Sequence, residues 1–227
     1  MTSLSFEQIQ RRLGRAKQWD DRNFKFLLPR KRVPAGVRYR MWNAGPELDQ
    51  GDTPQCVGYS GWGFLAGGPI INKPPFSPTD LYHWAQEEDE WQGVNYDGSS
   101  GLGLMRALKG RGYIKEYRWA IDTETMAAWL LTTGPVICGS YWYEGMANTD
   151  KEGFIHPVGG NWGGHEWRQI GVNLDKKCPD GTTGAFRMMN TWSKKWGEQG
   201  RAWVSIADMK KLLFNDGDCA VPTEIKL

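Results

Sequence analysis

Near its start the chain carries Phe6, Ile9 and Leu13 at helical spacing, preceded by Ser5-Phe6-Glu7-Gln8, which fits an S-x-x-Q capping box. This pattern predicts a short amphipathic helix over 6–18. Its apolar stripe is narrow, so the helix is expected to dock on a body rather than fold alone. Residues 24–40 are basic and broken by Pro29 and Pro34, which reads as an extended connector. From Cys56 to Phe64 the residues are small or aromatic and include Gly58, Gly61 and Gly63. Each glycine costs a helix roughly 1 kcal/mol relative to alanine. A helix here therefore implies that other elements approach it closely, and it is predicted to lie buried between lobes. Helical periodicity returns at 79–88 and 102–110. Apolar, β-branched and aromatic runs predict strands at 136–142, 167–172 and 185–189. Helices followed by strands predict an α+β protein of two lobes, helical at about 56–120 and β-rich at about 121–227, within a body over 34–227 that follows a basic arm over 1–33.

Charge sharpens the division. The net charge is +2, yet residues 1–40 hold eleven Lys/Arg against Glu7, Asp20 and Asp21. The arm is thus strongly basic and the rest acidic. Such asymmetry suits an acidic partner of the arm, or an arm that neutralises its own acidic body; the second reading is preferred, and nucleic acid is not expected. There is no apolar run of about 18 residues and no secretory pattern at the N-terminus, so the expectation is a cytoplasmic protein without a membrane partner.

The four cysteines, Cys56, Cys138, Cys178 and Cys219, form no C-x-x-C pair. With only His83, His156 and His165 available, neither a metal nor another cofactor is expected. Cys138 reads as core, His83 and His156 as structural, and Cys178 and Cys219 as loop residues. One thiol stands apart. Cys56 ends the turn Gln50-Gly51-Asp52-Thr53-Pro54-Gln55 at a predicted helix start, where unpaired N–H groups favour thiolate. Two further patterns follow: Gly163-Gly164-His165-Glu166 entering a strand, and Asn190-Thr191-Trp192-Ser193-Lys194-Lys195-Trp196-Gly197-Glu198-Gln199-Gly200.

In their order Gln, Cys, His, Asn, these patterns resemble the papain-like cysteine peptidases, in the short bacterial or phage form, from about residue 38 to 208. The resemblance implies a papain-like fold with a cleft between the lobes and a cysteine endopeptidase activity that needs no cofactor. It implies Cys56 as nucleophile and His165 as base then acid, the two held as thiolate and imidazolium. It implies Asn190 as the imidazole's orienting partner and Gln50 as an oxyanion donor. Trp192 would cover the His165–Asn190 bond. Gly98 and Ser99 would pair with a peptide backbone, with Gly164 and Trp192 also facing substrate.

The sequence departs from the family pattern at Gln55, at Val57-Gly58-Tyr59, at Thr191 and at Lys194-Lys195. Glu166 is expected to point away from the thiolate, and Trp167 to share the histidine's face and narrow the cleft. Two other activities fit the same residues: an amidase or transpeptidase using the same acyl-enzyme, and a catalytically silent structural or virion protein. The complete Gln50, Cys56, His165 and Asn190 set disfavours the silent form.

Overall fold

The computed structural model describes residues 4–18, 20–91 and 96–227; residues 1–3 and 19 of the predicted arm lie outside it. The first helix, α1 (Phe6–Arg12), begins with Ser5 and Gln8 in a reciprocal capping box, as the sequence predicts. It stops well short of residue 18. Leu13 is already extended, and residues 14–16 pair with the body instead of continuing the helix. Ile9 is buried and Phe6 packs edge-on against Trp162. A 3-10 turn (Asp21–Phe26) and an extended run then lead to β1 (Tyr39–Met41).

Three helices make one side of the molecule: α2 (Cys56–Leu65), α3 (Pro78–Glu88) and α4 (Gly101–Gly110). Ser77 with Asp80 boxes the start of α3, and Ser100 caps α4. The α2 glycines face neighbours that a side chain would strike: Tyr82 at Gly58, Leu104 at Gly61 and the Arg168 guanidinium at Gly63. The central helix is buried because it has shed its side chains where others cross it.

The strands β2 (Ile114–Trp119), β3 (Val136–Tyr143), β4 (Asn161–Lys177), β5 (Thr183–Met189), β6 (Arg201–Ser205) and β7 (Asp218–Ile225) form an antiparallel sheet in the order β2-β7-β3-β4-β5-β6. β1 joins β4 beyond the end of β3. Helices α5 (Thr123–Thr132) and α6 (Ile206–Asn215), capped by Asp122 and Ser205, belong to the second half of the chain. One large core runs through both halves, from Leu65, Leu81 and Leu104 to Trp142, Trp167 and Phe186. Among the described residues no helix is long and apolar enough to cross a membrane.

Candidate active site

Cys56 is the first residue of α2, and the helix has no side-chain cap: Gln55 occupies that position without bonding to the first turn. The leading N–H groups of the helix are therefore unclaimed by a side chain beside the sulfur. His165 and Asn190 come from adjacent antiparallel strands, β4 and the end of β5. His165 Nε2 lies 2.7 Å from Asn190 Oδ1, which also accepts from the Thr191 N–H at 2.7 Å. Because that oxygen can only accept, Nε2 carries the proton and Nδ1 presents its lone pair. Nδ1 is buried and has no hydrogen-bond partner among the described residues.

An aromatic wall holds the imidazole. Trp192 lies over it with ring centres 4.6 Å apart, Trp142 meets it edge-on at 4.9 Å, and Trp167 lies nearly parallel at 6.3 Å. Trp167 does share the histidine's face, yet it does not narrow a cleft: it is fully buried behind the ring, against Trp142. Strand alternation turns Glu166 to the opposite face, toward the helices, where its main-chain oxygen accepts from Ser60 Oγ at 2.8 Å.

The arm lies through the site. Gln50 Nε2 donates to the main-chain oxygen of Arg12 at 2.9 Å and to that of Thr53 at 2.5 Å, while Gln50 Oε1 accepts from Thr191 Oγ1 at 2.6 Å. The Ser99 N–H donates to Gly14 O, and the Ala16 N–H donates to Ser99 O, both at 2.8 Å. Between them the Arg15 N–H donates to Gly164 O at 3.0 Å. Gly98 makes this approach feasible: its φ is +98°, and a Cβ there would come 2.4 Å from Gly14 O. The loop is fixed from behind, with Tyr82 Oη accepting from the Gly98 N–H and Asp89 accepting from Ser99 Oγ. Arg12 anchors the arm on Asp49 and Asp52 at 3.2 and 3.0 Å.

Burial sets the electrostatics. It pushes the Cys56 thiol up to about 12, with Glu166 pushing the same way and the N–H groups of Glu166, Gly14 and Val57 opposing. Loss of solvent also brings His165 down to about 3; the Asn190 bond opposes this shift and the Arg12 charge adds to it. Both shifts favour the neutral forms, thiol and imidazole, over the ion pair that the family resemblance implies. Cys56 and His165 are both wholly shielded from solvent in this arrangement, and an ion pair there would lack the hydration that stabilises separated charges.

Contacts in the structure tie His165 to Asn190, with Trp192 over the imidazole, and Gln50 to Thr191. The arm bonds to Gln50, Ser99 and Gly164 and passes against Gly98, and its Gly14 N–H meets the Cys56 sulfur. Sequence reasoning placed Arg12 to Ala16 in the arm's helix, whereas residues 14–16 run extended against Ser99 and Gly164, and it did not single out the acids that receive Arg15. The only signal was Gly14 interrupting the helical pattern; the acids lie some 200 residues away. All four cysteines are free, and the described residues contain no cluster suited to a metal ion.

No family model matches the chain. A cathepsin B-like cysteine proteinase from Caenorhabditis elegans is 33% identical over 79 residues, which is 35% of this chain and only 20% of that protein. Among solved structures, a procathepsin B from Trypanosoma congolense matches 98% of this chain and 90% of its own, with 13% identity and a TM-score of 0.66. Xylellain, a cysteine protease from Xylella fastidiosa, matches 95% of this chain and 97% of its own at 16% identity and a TM-score of 0.66. A procathepsin L from Tenebrio molitor larvae gives a TM-score of 0.68 at 15% identity, over 96% of this chain and 79% of its own. The fold is that of the papain-like cysteine proteases.

Proposed function

From the papain-like fold as premise, we propose that this chain is a cysteine endopeptidase whose cleft is occluded by its own residues 12–16. One observation carries the reading: the cleft already holds an extended peptide by its main chain. Ser99 and Gly164 bind the arm's backbone, and the Gln50 amide binds the Arg12 carbonyl. A substrate would use the same groups. Two of the structural relatives are proenzymes by name, and the likeness to them extends over nearly the whole chain, which supports a self-blocking arm.

With the arm displaced, water reaches Cys56 and His165, and the desolvation that keeps both neutral is relieved. Nδ1 of His165 then takes the thiol proton, and the sulfur attacks a peptide carbonyl carbon. The developing oxyanion is met by Gln50 Nε2 and the Cys56 N–H; one such donor contributes roughly 3 kcal/mol to transition-state stabilisation. The imidazolium returns its proton to the departing amine, leaving a thioester on Cys56. A water molecule, deprotonated by His165, attacks the thioester carbonyl; the acid product leaves and the thiol is restored. Asn190 keeps the imidazole in the tautomer with Nε2 protonated, and Trp192 shields that bond from water.

The test is a peptide-library digestion with the full chain and with an arm-opened variant, Gly14→Ala. The opened chain should cleave internal peptide bonds and lose that ability in the Gly14→Ala/Cys56→Ala double variant. Cleavage that persists without Cys56 would overturn the assignment.

A further inference from the structure

Besides the main-chain bonds and the Arg12 ion pairs, the Arg15 side chain ties the arm to the body. Arg15 has a side chain with 0% exposure. Its Nη1 donates to Asp216 at 2.6 Å; its Nη2 donates to Asp218 at 2.6 Å and to the main-chain oxygen of Asp216 at 2.9 Å. The pocket is assembled by the sheet. Gly139 of β3 is paired on one side with Glu166 of β4 and on the other with Asp218 of β7. Residues paired across strands share a face, so two carboxyl groups flank a gap left by a residue without a side chain. A Cβ at position 139 would come 2.7 Å from Arg15 Nε. From the opposite lobe, Gly101 leaves the matching space: a Cβ there would be 3.2 Å from Glu166 Oε2 and 3.4 Å from Asp218 Oδ1.

A further observation points to a cationic ligand. Glu166 is fully buried, and neither of its carboxyl oxygens has a hydrogen-bond partner among the described residues. Arg15 Nε is likewise unpartnered. Three acids converging in a water-poor recess are unfavourable alone and require a cation to offset their mutual repulsion. The planar guanidinium, with donors diverging toward two carboxylates, fits this recess better than the single-point ammonium of lysine.

The pocket's location gives it a second role. It opens where the Arg15 N–H meets Gly164 O, one residue before His165, and where residue 15 lies against Ser99. Any extended peptide held by those two backbone groups presents a side chain to the same recess. We propose that the Glu166/Asp216/Asp218 recess is a side-chain pocket for substrate, that it selects peptides bearing an arginine, and that Arg15 of the arm occupies it as a substrate mimic. This inference rests on the peptidase reading and adds the substrate class.

The experiment uses the full chain with Arg15→Ala, which empties the pocket, and a set of fluorogenic tetrapeptides. Each carries one arginine at a different position, with a matched peptide in which citrulline, a neutral isostere, replaces it. At one position kcat/KM for arginine should exceed that for citrulline at least tenfold. Asp218→Asn in the same background should reduce that ratio to near one. If peptides are hydrolysed but no position favours arginine, the recess is only a socket for the arm; the pocket proposal falls and the peptidase reading stands. If no peptide is hydrolysed and a peptidyl epoxide does not label Cys56, the peptidase reading fails and the pocket proposal with it. Should Arg15→Ala not fold, Gly14→Ala, which leaves the pocket walls intact, is assayed with the same peptides against the same threshold.

Discussion

Gly14 is the place where the closed cleft can be opened by a single methyl group. A Cβ on this residue would lie 1.9 Å from the main-chain oxygen of Pro54, and 2.5 and 2.8 Å from its carbonyl and α carbons. Ordinary contact begins near 3.4 Å, so the methyl would intrude by about 1.5 Å on backbone. The obstacle is rigid: Pro54 sits in the turn where Gln50 Nε2 donates to Thr53 O and Thr53 Oγ1 donates to Gln50 O. The arm must yield instead. Overpacking of this kind costs typically 1–3 kcal/mol, and because only the closed state bears it, the open fraction should rise roughly 5- to 150-fold in Gly14→Ala. Pulsed alkylation by iodoacetamide, mapped by mass spectrometry at all four cysteines, reads that fraction, since fully buried Cys56 reacts only from the open state. The labelling rate at Cys56 should rise by that factor while the rates at Cys138 and at Cys219, which lies buried in β7 rather than in a loop, stay put. An unchanged Cys56 rate would show that the arm does not guard the thiol. A parallel rise at all three would show that the substitution loosened the whole fold.

Other outcomes follow from the same geometry. In the Gly14→Ala background, Cys56→Ala or His165→Ala should abolish peptide turnover, because nucleophile and base act as a unit. In that background Asn190→Ala and Gln50→Ala should lower kcat/KM by about 10²- to 10³-fold, the scale of one lost positioning group or oxyanion donor. An unaffected Gln50→Ala would remove Gln50 from the oxyanion site. Alkali should weaken the closed fold: the buried Cys56 thiol keeps its proton up to about 12, whereas an unfolded chain releases it above about 9.0. Melting temperature should therefore fall between pH 9 and 11, less steeply in Cys56→Ala, and a flat profile would contradict the burial. On the acid side His165, lowered to about 3, costs stability as pH falls below 6.5, but buried Glu166, whose pKa is raised, works in the opposite sense. Glu166→Gln should therefore steepen the acid limb of the melting curve. Salt should accelerate Cys56 labelling in the unaltered chain only a few-fold, because the Arg12 pairs are partly exposed while Arg15 is enclosed.

What the sequence disclosed was local or carried by motif. Ser5/Gln8 mark a helix start through bonds spanning three residues, so α1 begins where the pattern places it, and α3 begins within one residue of its predicted start at 79. The glycines of α2 announced close packing before its partners were known. The strand runs at 136–142, 167–172 and 185–189 fall within β3, β4 and β5. Other elements left weaker marks. Helix α5 is buried on most sides and lacks an amphipathic stripe, and β7 contains Pro222, a residue that argues against a strand. The ionisation state of Cys56 and His165 was also out of reach. It depends on what covers them, and the cover is a segment whose composition suggested an arm that neutralises the acidic body, without showing where on the body it lies. Its decisive partners, Asp216 and Asp218, meet Arg15 only because β7 inserts between β2 and β3.

In the proposed enzyme the arm is a tethered competitor, and tethering changes what can displace it. Only about ten residues separate Ala16 in the cleft from Leu27, whose neighbour Leu28 donates its N–H to Trp119 O on β2 at 2.8 Å. A short leash of this kind sustains an effective concentration in the millimolar range. A free peptide with the same contacts, present at micromolar levels, would be outnumbered about a thousandfold, and dilution would not release the arm because its concentration travels with the molecule. Cutting the leash once, anywhere between 17 and 26, would turn the occupant into an ordinary dissociable ligand, and the site would then empty as the solution is diluted.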